Sequence, residues 1–182
     1  MDEIAAEIHW KSLCLALPPN GVAKTFRTEE ECVRRLVEVR FPHGVTCPKC
    51  EASEVSPLST RQFYHCKKCR CQFSARQGTV FERSNLPLRI WFLGTEIAIN
   101  AHAAKKLRIS YSISSVMRRL SVARGTAVRL RTVIADDLLQ DRGGILGRCV
   151  AFQHIDFPET VESGTFEHLS WLDAAIERRR HL

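Results

Sequence analysis

The sequence predicts an α+β fold that is mostly α, with a small zinc-ribbon β-hairpin module followed by a helical bundle that contains a helix-turn-helix. Three observations lead to this prediction. They are two cysteine pairs at C-x₂-C spacing, a concentration of positive charge in the middle of the chain, and a series of apolar stripes at helical spacing. The 182 residues, 45% of them apolar, suffice to bury a core in one domain or two small ones.

The cysteine pairs are Cys47 with Cys50 and Cys66 with Cys69, and fifteen residues separate them. A two-residue gap lets one tight turn present two thiolates to one ion, and two such turns complete the tetrahedron that Zn²⁺ prefers. Because this set is closed, the sequence predicts one structural zinc ion rather than a catalytic one. Cys71 could offer an alternative thiolate, but the spacing favours Cys69.

The net charge of +7 is unevenly distributed. Residues 33–131 carry 19 Lys and Arg against 5 Asp and Glu, a balance of +14, whereas residues 1–32 carry −3 and residues 132–182 carry −4. A cationic segment between mildly acidic ends indicates a polyanionic partner, most often nucleic acid. The acidic start and the lack of a long apolar run predict a cytoplasmic protein with no membrane segment.

Local signals divide the chain into four predicted parts. Residues 1–24 form an N-terminal helix and a Pro-Pro-Asn-Gly linker, and residues 25–84 a capping helix and the zinc ribbon. Residues 85–141 form the helix-turn-helix bundle, and residues 142–182 a C-terminal tail with an amphipathic helix. Thr28 and Glu31 predict a capping box, which opens a helix that buries Cys32, Leu36 and Val39.

Within the ribbon, residues 61–65 predict a strand and residues 72–75 its partner, with Phe63 and Phe73 covering the small hydrophobic side. A helix over residues 88–105 is apolar on most sides and is therefore expected at the centre of the bundle. The next helix has Ser112 as its N-cap. After a turn at residues 121–124, a third helix carries an apolar stripe, made by Ala127, Leu130, Ile134 and Leu138.

In that third helix Arg129 and Thr132 lie opposite the apolar stripe, so two short helices and a tight turn present a cationic outer face. Gly143-Gly144 is expected to end the helical region. Phe166, Leu169, Leu172 and Ile176 predict one more amphipathic helix, which either docks on the bundle or pairs two subunits in a homodimer.

Several short motifs occur in a fixed order: Thr-Glu-Glu-Glu-Cys at 28–32, Arg-Phe-Pro-x-Gly at 40–44, both C-x₂-C pairs, Gly-Thr-Val-Phe at 78–81, and Pro-Leu-x-x-Trp-Phe at 87–92. From about residue 26 to 138 the chain resembles the N-terminal region of bacterial insertion-sequence transposases that begin with a zinc ribbon. It departs from the family pattern at Glu51, where glycine is usual, and at Val128, where tryptophan is more frequent.

The resemblance implies that the ribbon and helix-turn-helix hold the terminal repeats of a mobile element. In such transposases a ribonuclease-H-like domain with an acidic triad and Mg²⁺ cuts the DNA. About 45 residues follow the third helix, too few for that domain. We therefore expect a protein that is not an enzyme, and we expect Asp156 and Glu159 to be solvated loop carboxylates.

These observations predict a zinc-dependent protein that binds double-stranded DNA, has no small-molecule substrate and is associated with the nucleoid. The expected base contacts come from Arg124, Thr126 and Arg129, and the expected phosphate contacts from Lys67, Lys68, Arg70, Lys105, Lys106, Arg118 and Arg119. One alternative is the DNA-binding part of a split transposase whose catalytic domain is encoded separately. Another is a protein-interaction adaptor built on the zinc ribbon.

Overall fold

A computed structural model describes residues 3–58, 62–104 and 111–180. Its helices are α1 (Glu3–Ala16), α2 (Val22–Thr25), α3 (Glu29–Arg40), α4 (Leu88–Ala103), α5 (Ile113–Leu120), α6 (Arg124–Leu138), α7 (Gly144–Val150) and α8 (Phe166–Arg180). Its strands are β1 (Val55–Leu58), β2 (Phe63–Cys66) and β3 (Gln72–Ser74), and a 3₁₀ turn spans Asp141–Gly143. The predicted class, α+β and mostly helical, is confirmed.

The capping box at the start of α3 is confirmed. The Thr28 hydroxyl accepts a hydrogen bond from the Glu31 N–H at 3.2 Å, and the Glu31 carboxylate accepts one from the Thr28 N–H at 2.9 Å. These reciprocal bonds satisfy N–H groups that lack a partner within the helix. The helix then buries Cys32 and Leu36 completely against the main core.

Helix α4 lies at the centre of the helical part, as its apolar surface predicts. It packs against α1, α3, α5, α6 and α7, and Trp91, Phe92 and Ile99 are fully buried. A Cβ added at Gly94 would lie 2.9 Å from the Ile134 side chain, so the missing side chain lets α4 and α6 approach closely. The predicted apolar stripe of α6 is fully buried on this side: Ala127, Leu130, Ile134 and Leu138.

The prediction that Gly143-Gly144 ends the helical region is wrong. Helix α7 starts at Gly144 and buries Leu146, Cys149 and Val150 against α3, α4 and α6. Arg35 of α3 holds its C-terminal end, donating hydrogen bonds to the Cys149 and Arg148 carbonyls at 3.1 and 2.8 Å. Only seven residues long, α7 has too short an apolar pattern to be distinguished from a loop by sequence.

Helix α8 docks on α1 of the same chain, the first of the two arrangements that its sequence allowed. Leu169 and Leu172 are buried, Lys11 pairs with Asp173, and Arg179 donates to the Leu15 carbonyl at 2.7 Å. Within one chain, therefore, the buried side of α8 is already covered.

The ribbon module (residues 45–74) is an antiparallel sheet in the order β1-β2-β3. Strand β1 was not predicted from sequence, because it contains Pro57 and lacks an alternating apolar pattern. The prediction that Phe63 covers the hydrophobic side is wrong, since its side chain is 41% exposed. Phe73 is fully buried as predicted, and its neighbour across the strands is Tyr64, with ring centroids 5.5 Å apart.

Candidate metal centre and nucleic-acid surface

The four predicted zinc ligands converge at one end of the ribbon module. The Sγ atoms of Cys47, Cys50, Cys66 and Cys69 all lie within 4.8 Å of one another. Two of the separations are 3.6 Å, from Cys47 to Cys69, and 3.5 Å, from Cys50 to Cys66. A tetrahedron with Zn–S bonds of about 2.3 Å has edges of about 3.8 Å. Donor set and spacing thus fit a structural zinc ion, and no ligand position is left for a substrate.

Two turns of the same construction hold these thiols. In the first knuckle the Glu51 N–H donates to the Cys47 carbonyl at 2.8 Å, and in the second the Arg70 N–H donates to the Cys66 carbonyl at 2.9 Å. The Lys49 N–H points at the Cys47 sulfur, 3.4 Å away, and the Cys69 N–H at the Cys66 sulfur, 3.5 Å away. N–H groups in this position can stabilise the negative charge of a zinc-bound sulfur.

The residue after each second cysteine adopts a left-handed backbone, with φ of 58° at Glu51 and 60° at Arg70. Residues with a Cβ adopt this conformation at a cost that glycine avoids. Glu51, a departure from the glycine usual in the family that the sequence resembles, therefore carries this steric cost. The same conformation at Arg70 was not anticipated, although its position after a C-x₂-C pair is the same.

Hydrogen bonding also shifts the pKa of the candidate ligands. Burial raises the pKa of Cys47, but hydrogen bonds from the Lys49 N–H and from neighbouring thiols outweigh it and lower the pKa to about 6. The Cys71 N–H is the largest cause of the lowered pKa of Cys69. Cys47 and Cys69 thus favour the thiolate form that zinc binds. At Cys50 the Ala52 N–H lowers the pKa, but burial and hydrogen bonds with neighbouring thiols outweigh it and raise the pKa to about 12.

Cys71, for which the sequence allows an alternative thiolate although the spacing favours Cys69, lies in contact with the site. Its sulfur is 3.3 Å from that of Cys47, closer than the sulfur of Cys69 is. The ribbon module therefore holds a fifth thiol beside the cluster of four, in contact with Cys47.

Four of the cations counted in the basic segment serve the fold. Arg40 donates to the Ala75 carbonyl at 2.7 Å, Arg76 pairs with Glu29 at 2.8 Å, and Arg89 donates to the Phe26 carbonyl at 3.0 Å. Arg35 holds the end of α7, as described above. The +14 balance thus combines structural arginines with cations that remain available to a partner, a division that a count by sequence cannot make.

The exposed cations include most of the predicted DNA contacts. Lys67, Lys68 and Arg70 are exposed on the second knuckle; Arg118 and Arg119 are exposed in the last turn of α5, and Arg124 and Arg129 on α6. Thr126 is half-buried, and Lys105 and Lys106 lie outside the described residues. Lys49, not among the predicted contacts, is exposed at the position in the first knuckle that matches Lys68 in the second.

The loop carboxylates are solvated as expected. The side chain of Asp156 is 97% exposed and lies 3.3 Å from His154, and Glu159 is also exposed. Among the described residues, the four-cysteine cluster is the one group of three or more metal-binding side chains whose ligand atoms converge. No helix in the described part of the chain is long and apolar enough to span a bilayer.

Comparison with known families agrees with this geometry. Residues 27–72 match the transposase zinc-ribbon domain. That range runs from the capping box of α3 through both knuckles to the start of β3, so the predicted resemblance to zinc-ribbon transposases is confirmed for this region. The ribbon module is therefore a zinc ribbon, with both the fold and the family pattern of a zinc site.

The chain is also similar to an uncharacterized protein in transposable element ISH50 of Halobacterium salinarum. The two are 37% identical over 103 residues, which cover 53% of this chain and 35% of that protein. The chain therefore aligns with about a third of its relative. No solved structure matches the chain.

Proposed function

We propose that this chain is a transposase-related protein that binds double-stranded DNA through the zinc ribbon and through α5 and α6 acting as a helix-turn-helix. The observation that carries the proposal is the succession of exposed cations from the end of α5 onto α6: Arg118, Arg119, Arg124 and Arg129. The transposase-type zinc ribbon and the insertion-element relative support a nucleic-acid partner.

The connection between α5 and α6 suits a helix-turn-helix. Three residues join the helices, and Ser121 takes a left-handed conformation that ends α5 sharply. Helix α6 buries one side against α4 and α5 and leaves the other to solvent. In DNA-bound helix-turn-helix domains the N-terminal part of the second helix reaches the bases, so α6 is the proposed recognition helix.

The first turn of α6 suits an approach to DNA. It contains no acidic residue, and its N-cap, Ala123, supplies no side-chain hydrogen bond. Arg124 is exposed there, and Arg129 lies exposed one turn beyond Gly125, where an added Cβ would meet nothing within 4 Å. An unobstructed surface beside an arginine permits close approach to a groove, and arginine recognises guanine by two parallel hydrogen bonds.

We assign the other predicted cations to contacts with DNA phosphates. Lys67, Lys68 and Arg70 of the zinc ribbon, with Arg118 and Arg119 of α5, would fix the position of the protein without reading sequence. Lys105 and Lys106 are proposed for the same role from sequence alone. Thr126, half-buried, is the weakest of the proposed base contacts.

We assign no catalytic step to the chain. The zinc site is closed by four thiolates, and Asp156 and Glu159 are solvated rather than gathered at a site. Because the aligned region is about a third of the insertion-element relative, the second candidate is the DNA-binding part of a transposase whose catalytic domain lies elsewhere. Either role would place the chain at the nucleoid.

Selection of the zinc-loaded protein against random double-stranded DNA tests the proposal. We expect one enriched motif, with affinity that falls by about 0.9 log unit per log unit of salt for each phosphate contact. Enrichment of the ends of a mobile element would favour transposition, and enrichment of promoters would favour regulation. Affinity that does not depend on salt, or no DNA binding at all, would overturn the proposal in favour of a protein-interaction adaptor.

One single and one double variant separate base contacts from phosphate contacts. Arg129→Ala should lower affinity for the selected site by about 10- to 100-fold and relax preference at one base pair. Lys67→Ala with Lys68→Ala should weaken binding to all sequences equally and reduce the salt slope by about 2. Arg178 is an exposed arginine on α8, so Arg178→Ala is the matched control. It should leave both the affinity for DNA and the salt slope unchanged.

A further inference from the structure

Strand pairing fixes the position of Cys71 relative to the zinc ligands. Strands β2 and β3 pair His65 with Gln72, and the Cys66 N–H donates to the Cys71 carbonyl at 2.9 Å. This bond continues the pairing by one residue, so Cys66 and Cys71 lie opposite each other. Directly opposed residues of an antiparallel pair project from the same face. Cys71 therefore projects from the same face as the fully buried ligand Cys66.

The first knuckle has an equivalent position, occupied by alanine. There the Cys47 N–H donates to the Ala52 carbonyl at 2.9 Å, the same bond that joins Cys66 to Cys71 in the second knuckle. Ala52 and Cys71 both pack against the small core of the zinc ribbon. The two knuckles thus share one backbone plan, and only the second places an additional thiol beside the metal site.

We propose that Cys71 is a reserve zinc ligand that takes the place of Cys69. Its sulfur lies 3.3 Å from that of Cys47, a distance close to the edge of a ZnS₄ tetrahedron, which is about 3.8 Å. Cys69 and Cys71 both contact Cys47, and they also contact each other. The additional thiol is thus next to the corner of the tetrahedron that Cys69 occupies.

The number of thiolates that each knuckle supplies decides which cysteine Cys71 can replace. With Cys71 in place of Cys69, each knuckle still supplies two thiolates, so both turns stay attached to the metal. With Cys71 in place of Cys47, the first knuckle would hold the metal by Cys50 alone, and the buried Cys47 position would be empty. We therefore expect Cys69 to be dispensable for zinc binding and Cys47 to be essential.

Metal content of purified variants tests the proposal. Cys69→Ala and Cys71→Ala should each retain about one zinc per chain, whereas Cys47→Ala and the double variant Cys69→Ala/Cys71→Ala should retain almost none, because the ribbon folds around its metal. Loss of zinc from Cys69→Ala as complete as from Cys47→Ala would overturn the proposal. The helical core is separate from the ribbon core, so far-UV circular dichroism shows whether each variant is folded elsewhere.

Alkylation of the zinc-loaded protein, mapped by mass spectrometry, shows directly whether Cys71 replaces Cys69 as a zinc ligand. Cys71 should react with iodoacetamide in the unchanged chain and be protected in Cys69→Ala, because a thiolate bound to zinc reacts slowly. Equal reaction of Cys71 in both proteins would contradict the exchange. DNA binding plays no part in either measurement, so the reserve ligand and the proposed function can fail separately.

The equivalent substitution in the first knuckle tests whether a thiol at this backbone position is sufficient to replace a zinc ligand. Cys50→Ala should lose zinc, since Ala52 offers no thiol. Adding Ala52→Cys to Cys50→Ala places a thiol where Cys71 lies in the other knuckle, and it should restore about one zinc per chain. Failure to restore zinc would show that the equivalence of the knuckles does not extend to metal binding, which would also contradict the geometric basis of the proposal.

Discussion

The carboxylate of Glu29 lies 2.8 Å from Nη2 of Arg76 and accepts hydrogen bonds from the N–H groups of Leu88 and Arg89 at 2.7 and 3.1 Å. One side chain thereby joins the start of α3, the segment that leaves the zinc ribbon, and the start of α4. The N-cap of α4 is Pro87, which offers no side-chain hydrogen bond, so Glu29 caps that helix from a distance.

Replacement of Glu29 should therefore destabilise the fold. Glu29→Ala leaves two N–H groups and Nη2 of Arg76 without their acceptor, and we expect it to lower the free energy of unfolding by about 2–4 kcal/mol. Glu29→Gln keeps an acceptor but loses the charge, so its effect should be about half as large. Urea denaturation of the zinc-loaded protein measures both. Glu30→Ala, an exposed neighbour, should change stability by less than about 0.5 kcal/mol; an equal loss from both alanine variants would contradict the capping role.

Gly144 should tolerate no side chain. Its φ is +63°, and an added Cβ would lie 2.2 Å from the Asp137 carbonyl oxygen, a backbone atom that cannot move aside. We expect Gly144→Ala to lower the free energy of unfolding by at least about 2 kcal/mol and the melting temperature with it. Gly125→Ala is the matched control in open space and should stabilise α6 by up to about 0.5 kcal/mol. Similar melting temperatures for the two variants would contradict this account of the start of α7.

Removal of zinc should unfold the ribbon and leave the helical core folded. Among the described residues of the ribbon, the fully or nearly fully buried side chains are Cys47, Cys66 and Phe73, and two of these are metal ligands. A core this small cannot hold a sheet without its metal. Hydrogen exchange after treatment with a zinc chelator should show loss of protection over residues 45–74 and persistent protection in α4 and α6. Loss of protection throughout the chain would show instead that the two parts unfold together.

Glu51→Gly should strengthen the first knuckle. Glycine adopts the left-handed conformation at this position without the steric cost to Glu51, and we expect a gain of about 0.5–1 kcal/mol in the stability of the zinc-loaded ribbon. Glu51→Gln removes the same charge but keeps the backbone strain, so it should show no such gain. Competition with a chelator compares the zinc affinity of the variants. An equal gain from both substitutions would assign the effect to charge.

The local elements of the fold could be predicted from the sequence because their signals are local. The capping box at Thr28 and the buried stripe of α6 each depend on residues within one helix, and each is confirmed. Helix α7 was missed because it is short, and strand β1 because it contains Pro57 and lacks an alternating apolar pattern. Phe63 was placed on the wrong side of the ribbon, since two aromatic residues separated along the chain do not reveal which cross-strand neighbours they have.

The sequence by itself determined the zinc ribbon, because the spacing of two C-x₂-C pairs constrains four thiols whatever surrounds them. It also determined the central position of α4, whose apolar surface requires burial. Only the tertiary structure decided which cations hold the fold, that Glu29 caps α4, and that Cys71 lies against Cys47. Each of these is a contact between distant segments, and such contacts depend on how the helices and strands pack rather than on any local pattern.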